Sequence, residues 1–181
     1  SSKIGQLQNL QELYMMKNAL TGPIPSAIGN LKEMQIMSLS ENFLVGSIPE
    51  SLNNMKKLKV LAIQGEAIVR LNGRRTAEKT QIAAGLSGDL PSFDGLENLE
   101  GLYLAYNSLN GKIPYNFLAG IKDKSKPIVV DLGSNFLAGV VPASLTQFDM
   151  LDLALGNNKF NGVAPGLCKM NEWFEGDIGE Y

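Results

Sequence analysis

One repeat limits what this chain can fold into more than any other feature. Its first complete copy sets Leu10, Leu13, Met15, Asn18, Leu20, Gly22, Ile24 and Pro25 in the order L-x-x-L-x-L-x-x-N-x-L-x-G-x-I-P. The order returns at Met34, Met37, Leu39, Asn42, Leu44, Gly46, Ile48 and Pro49, every position displaced by the same step. A fixed period of this length predicts a solenoid in which each copy is one coil. A single coil cannot bury its apolar face, so neighbouring coils must stack into one continuous core.

Later copies keep the order while their spacing drifts. One runs through Leu99, Leu102, Leu104, Asn107, Leu109, Gly111, Ile113 and Pro114. The next holds Val130, Leu132, Asn135, Leu137, Gly139, Val141 and Pro142, and the last Met150, Leu153, Leu155, Asn158, Phe160, Gly162, Ala164 and Pro165. A sixth, irregular copy begins at Leu58, Leu61 and Ile63 and resumes at Leu86, Gly88, Leu90 and Pro91. The step from Leu58 to Leu86 exceeds the matching step from Leu10 to Leu20 by about 18 residues, which marks an insertion into the repeat. The repeats therefore start near 10, 34, 58, 99, 127 and 150, with the insertion at about 66–85.

Each position has a physical job. The L-x-L core alternates inward and outward with the period of a strand. Asn tolerates tight turn geometry, and its amide both donates and accepts. Asn18, Asn42, Asn107, Asn135 and Asn158 are expected to form a ladder that satisfies buried backbone groups of neighbouring turns. Glu66 stands at the matching place of the irregular copy, which predicts an interruption there. Gly then permits a turn, and Ile-Pro makes a short extended segment. Residues 26–31 can close a short helical turn on the convex side. The fold expected is a right-handed α/β solenoid with a parallel sheet on the concave face and short helices or turns on the convex face.

The G-x-I-P step resembles that of the plant-type leucine-rich-repeat family, over Ile4 to Pro165 apart from the insertion. That family includes receptor-kinase ectodomains and receptor-like proteins of plants and algae. It also includes secreted inhibitors of cell-wall-degrading hydrolases. The resemblance implies non-catalytic recognition of a protein or peptide ligand on the concave strand face, with a co-receptor as a second partner. It implies a place on the outer face of the plasma membrane or in secretion, and signal perception as the role. An intracellular scaffold is a further alternative, which the absence of any N-x-S/T sequon favours.

Composition removes most chemistry. The chain has no His and one Cys, which excludes His-based triads and thiolate zinc sites. No phosphate-cradling glycine loop is present, and no cofactor is expected. Glu97 with Glu100, and Asp149 with Asp152, are the carboxylate pairs closest to an acid–base arrangement, although solvated rims usually look the same. A net charge of -2 gives no broad attraction to nucleic acid, and no apolar run reaches membrane-spanning length.

The candidate binding residues follow from strand alternation. From successive coils they are Tyr14 and Lys17, Ser38 and Glu41, Ala62 and Gln64, Tyr103 and Tyr106, Asp131 and Ser134, and Ala154 and Asn157. The tyrosines Tyr14, Tyr103 and Tyr106 are the expected anchors, since Tyr offers large contact area and a polar tip. Exposed tyrosines on strands can also simply serve β propensity. The insertion carries Arg70, Arg74, Arg75 and Lys79 against Glu66 and Glu78, and its ends sit beside the concave strands. Loops of this length are functional or disordered.

The termini read as a piece of a longer solenoid. Ile4-Gly5-x-Leu7 matches Ile28-Gly29-x-Leu31, so the chain opens within a repeat. The repeat decays after Pro165, where residues 166–181 are expected to cap the last coil. Cys168 falls at the core position of Ile28 and Leu52, which predicts a buried thiol. The family resemblance implies instead a capping disulfide with a cysteine beyond Tyr181.

Overall fold

The repeat passes through two strand positions per coil. The computed structural model describes residues 2–65 and 85–167. Coil one holds β1 (Glu12–Tyr14) and β2 (Thr21–Gly22), and coil two β3 (Ile36–Ser38) and β4 (Phe43–Leu44). Coil three holds β5 (Val60–Ala62) and β6 (Ser87–Asp89), and coil four β7 (Gly101–Tyr103) and β8 (Ser108–Asn110). Coil five holds β9 (Ile128–Asp131) and β10 (Ala138–Val141), and coil six β11 (Leu151–Ala154) and β12 (Lys159–Val163).

The first strand of every coil joins one 6-stranded sheet in the order β1-β3-β5-β7-β9-β11, all parallel. Its register aligns Leu13, Met37, Leu61, Leu102, Val130 and Leu153 in one inward row. The second strands form a side sheet in pairs, β2 with β4, β6 with β8 and β10 with β12. A Gly46–Leu86 bridge links the first two pairs, and Ala138 N donates to Gly111 O between the last two. In coils one to four these paired strands lie ahead of the predicted extended Ile-Pro segment, around the Leu and Gly that follow the repeat's Asn position, and the sequence reading does not predict their pairing between coils. Gly22, Gly46, Gly88, Gly111 and Gly139 sit at φ of 75–83° on this side, a conformation that favours glycine over any residue with a Cβ.

The core is continuous along the solenoid. Leu31, Met34, Leu58, Leu61, Leu102, Leu104, Leu109, Val130 and Leu132 are fully buried within one cluster. The convex side carries short 3₁₀ turns at Ser26–Asn30, Glu50–Asn54 and Ala143–Gln147, each opened by the repeat's proline. Two convex-side glycines, Gly29 in the first turn and Gly95 in coil three, allow close stacking. A Cβ at Gly29 would collide with the Ser51 carbonyl oxygen, and one at Gly95 with that of Asn53. In coil three the convex segment is shorter, and Phe93 turns into the core at φ 50°, edge-on to Phe117 with centroids 6.1 Å apart.

The asparagine ladder forms. Asn42 Oδ1 accepts from Leu20 N at 3.0 Å, and its Nδ2 donates to Met15 O at 2.8 Å. Asn135 and Asn158 repeat the arrangement with Leu109 N and Leu104 O, and with Leu137 N and Leu132 O. Asn107 holds coil three across the insertion, accepting from Leu86 N at 3.0 Å and donating to Ile63 O at 2.9 Å. Coil three is thus clamped from the coil-four side. Asn18 is different: it is exposed, and its amide donates only within its own turn, to Met15 O and Met16 O. Glu66 and the predicted interruption lie outside the described residues, as do Cys168 and most of the predicted cap.

Candidate ligand-binding face

The outward side of the main sheet is laid out in four rows. The strand register sets Glu12, Ile36, Val60, Gly101, Val129 and Asp152 in the first. The second is Tyr14, Ser38, Ala62, Tyr103, Asp131 and Ala154. Hydrogen bonds beyond the strands fix the rest. Lys17 N donates to Ser40 O, Glu41 N to Gln64 O, Gly65 N to Ala105 O, Tyr106 N to Gly133 O and Ser134 N to Gly156 O. The third row is therefore Met16, Ser40, Gln64, Ala105, Gly133 and Gly156. The fourth is Lys17, Glu41, Gly65, Tyr106, Ser134 and Asn157.

This register corrects some of the sequence reading. Gln64 sits one step earlier than Glu41, in line with Ser40, whose hydroxyl accepts from Gln64 N at 3.2 Å. The position equivalent to Glu41 is Gly65, where a Cβ would collide with the Tyr106 carbonyl oxygen. Ser38 is buried at 5% exposure, so it is floor and not a contact surface. Its register neighbours are Tyr14 and Ala62, and a short side chain between them does not reach solvent. Lys17 and Glu41 are exposed but face each other at 3.6 Å, so their charges largely offset. The insertion residues Arg70, Arg74 and Arg75 lie outside the described residues.

The three tyrosines differ. Tyr14 is 56% exposed on the first strand. Desolvation and the adjacent Glu12 carboxylate both raise its phenol above the usual pKa, so it stays a neutral donor. Tyr103 is half-buried, and its ring folds back over Gly101, where a Cβ would come within 2.8 Å of it. Tyr106 is 47% exposed at φ 57°. The fourth row adopts this left-handed conformation at Lys17, Glu41, Tyr106, Ser134 and Asn157 alike. The coil imposes it, and Asn tolerates it better than a bulky aromatic does. Neither β propensity nor backbone preference therefore accounts for Tyr106.

Asp131 is half-buried and fixed on both oxygens. Its Oδ1 accepts from Gly133 N at 3.0 Å, and its Oδ2 from Gln64 Nε2 at 3.4 Å. The Gln64 side chain thus reaches from coil three to coil five, past the small, buried Ala105.

Of the carboxylate pairs, Glu97 is engaged by two lysines. Glu97 accepts ion pairs from Lys122 and, at 2.8 Å, from Lys56. Hydrogen bonds from Lys122 and then Lys56 lower its pKa from 4.5 to about 2, which makes it a poor acid or base near neutrality. Among the described residues no cluster of His, Cys, Asp and Glu could hold a metal ion, and no helix is long and apolar enough to cross a membrane. The sequence reading leaves out the first row, with Glu12 and Asp152. Period-two alternation counted back from Leu13 and Leu153 finds both.

The comparisons with known proteins agree with the coil. The Leucine Rich Repeat family model matches residues 9–31, 33–55 and 98–119. Over 80 residues, 44% of the chain, there is 35% identity to receptor-like protein 18 of Arabidopsis thaliana, of which it covers 9%. The plant peptide hormone receptor RGFR1 in complex with RGF2 is similar at a TM-score of 0.74 and 30% identity, over 91% of this chain and 23% of that one. A plant ice-binding protein is similar at a TM-score of 0.70 and 27% identity, over 88% of this chain and 45% of that one. The chain spans less than half the length of each of these proteins. By its repeats and the parallel-stranded coils they build, the chain is similar to the plant-type leucine-rich-repeat proteins.

Proposed function

We propose that this chain is the recognition segment of a receptor-like protein and binds a peptide or protein on the outward face of its main sheet, without catalysis. Tyr106 carries the reading. An exposed aromatic kept in a left-handed conformation works against stability, and such strain is retained where a side chain has work to do at a surface. Tyr14 and Tyr103 extend the aromatic surface along the sheet. The likeness to a peptide hormone receptor and to a receptor-like protein supports the same class of partner, and a place on the outer face of the plasma membrane or in secretion.

Likeness to an ice-binding protein carries less weight, because fold alone does not set the ligand. A crystalline ligand calls for one small residue type repeated at coil spacing. The row Tyr14, Ser38, Ala62, Tyr103, Asp131 and Ala154 places no residue type on two adjacent coils.

Photo-crosslinking tests the proposal. A benzophenone side chain is placed at Tyr106 and, as a control, at Tyr115, which is 85% exposed and outside the main-sheet rows. The chain is then incubated with the cell-surface fraction of its source. A peptide or protein adduct at 106 and not at 115 is the expected result. Equal adducts at both positions, or none at either, would sink the reading.

A further inference from the structure

The main-sheet face is acidic. Among the described residues its rows hold Glu12, Glu41, Asp131 and Asp152 against the single cation Lys17, and Lys17 is already opposite Glu41. At the entry edge Lys59 and Glu100 balance each other. The whole chain is nearly neutral at -2, so this asymmetry belongs to the face. Complementary charge steers encounters and suppresses wrong partners.

We infer that the partner presents a basic segment, and that one of its arginine or lysine side chains seats at Asp131, beside Tyr103 and Tyr106. The inference rests on the reading of the main-sheet face as a peptide- or protein-binding surface and names the chemistry of its occupant. Asp131 is the charge best placed for this. Gly133 N fixes one oxygen, while the other takes a neutral amide donor from Gln64 at 3.4 Å, the far limit of a hydrogen bond. A guanidinium or ammonium in the place of that amide makes a shorter, charge-assisted bond. Tyr103 is the register neighbour of Asp131, and the Tyr106 backbone bonds to Gly133 two residues on. An aromatic face beside the carboxylate stacks on a cationic head or its stem. The Gln64 side chain crosses Ala105 to reach Asp131, and it is the group that the incoming side chain displaces.

The test uses a displayed library of random dodecapeptides, panned on the whole chain. Recovered peptides are titrated by fluorescence anisotropy against the chain and three variants. Asp131→Asn keeps an acceptor for Gly133 N but removes the charge. Gln64→Lys supplies the chain's own cation to Asp131 from an accessible position. Tyr106→Asn removes the aromatic and suits the local backbone. Peptides rich in Arg or Lys are expected, with affinity falling about tenfold on Asp131→Asn, the effect of one charge-assisted bond. Gln64→Lys is expected to weaken binding similarly, and salt to weaken it in the wild type. Should Asp131→Asn fail to fold, as circular dichroism would reveal, Gln64→Lys decides. Neutral or acidic peptides that lose binding on Tyr106→Asn would overturn the basic occupant and leave the face reading intact. Basic peptides indifferent to Asp131→Asn and Gln64→Lys would overturn the assignment to Asp131. No recovered peptide, or binding indifferent to all three substitutions, would overturn both.

Discussion

Replacing Asn107 by Ala tests the ladder where it does most. The side chain is 9% exposed and holds both ends of the insertion. Its loss affects four backbone groups unequally. Leu104 O keeps a donor in Asn135 Nδ2 at 3.1 Å, and Ala105 O keeps Gly65 N at 2.9 Å. Leu86 N and Ile63 O lose the partners that Asn107 supplied. A buried polar group left unsatisfied costs about 1–3 kcal/mol, so two of them give roughly 2–6 kcal/mol. For a chain of this size that lowers the melting temperature by on the order of 10 °C. Asn18→Ala is the internal control. The residue type and repeat position are the same, but the side chain is exposed and bonds only within its own turn. Its loss is expected to cost less than about 1 kcal/mol. Equilibrium urea unfolding of both variants and the parent reads the difference. Agreement of the two variants within about 0.5 kcal/mol would refute the reasoning, since burial and cross-coil bonding would then not set the value of a rung.

Other expectations follow from particular residues. Tyr106→Asn should leave stability unchanged or raise it by up to about 1 kcal/mol, because Asn accepts φ 57° at lower cost. A clear loss in urea unfolding would return Tyr106 to a packing role. Gly29→Ala should destabilise by about 1–3 kcal/mol, because its Cβ would drive the Ser51 carbonyl away and separate the first two convex turns. A neutral melting curve would show that the convex turns yield more easily than their spacing implies. Glu97→Gln should change the acid limb. Lys122 and Lys56 hold the Glu97 pKa at about 2 instead of 4.5. Its contribution is therefore full above pH 4.5 and lost as pH falls toward 2. The stability gap between parent and variant should narrow over that window, and a constant gap would rule out the pairing as its source.

Where the sequence is legible, it is legible because identical positions do identical jobs. The inward leucines, the asparagine rungs and the proline that opens each convex turn recur in phase, and every coil meets a near-copy of itself. Row assignment is harder. Gln64 reads from the sequence as the partner of Glu41, but the same two-residue count from the inner apolar residue, Leu39 to Glu41 and Ile63 to Gly65, sets Gly65 there, as the register does. Ser38 looks like an outward strand residue, and it is, but its exposure depends on its register neighbours Tyr14 and Ala62, one repeat away on each side. The contact between Gln64 and Asp131 joins residues 67 apart, with another coil between them, and has no local signature.

The repeat by itself determined the architecture, because a fixed period with apolar positions in phase has one economical way to bury them. Composition separately leaves these 181 residues no His for a Ser-His-Asp or Cys-His arrangement. Only the tertiary structure decided which outward residues share a row, which charges already face a partner, and that the fourth row is left-handed at every residue with a side chain. Those properties arise between coils, from backbone register and the reach of side chains across neighbouring strands. The identity of any one residue does not encode them.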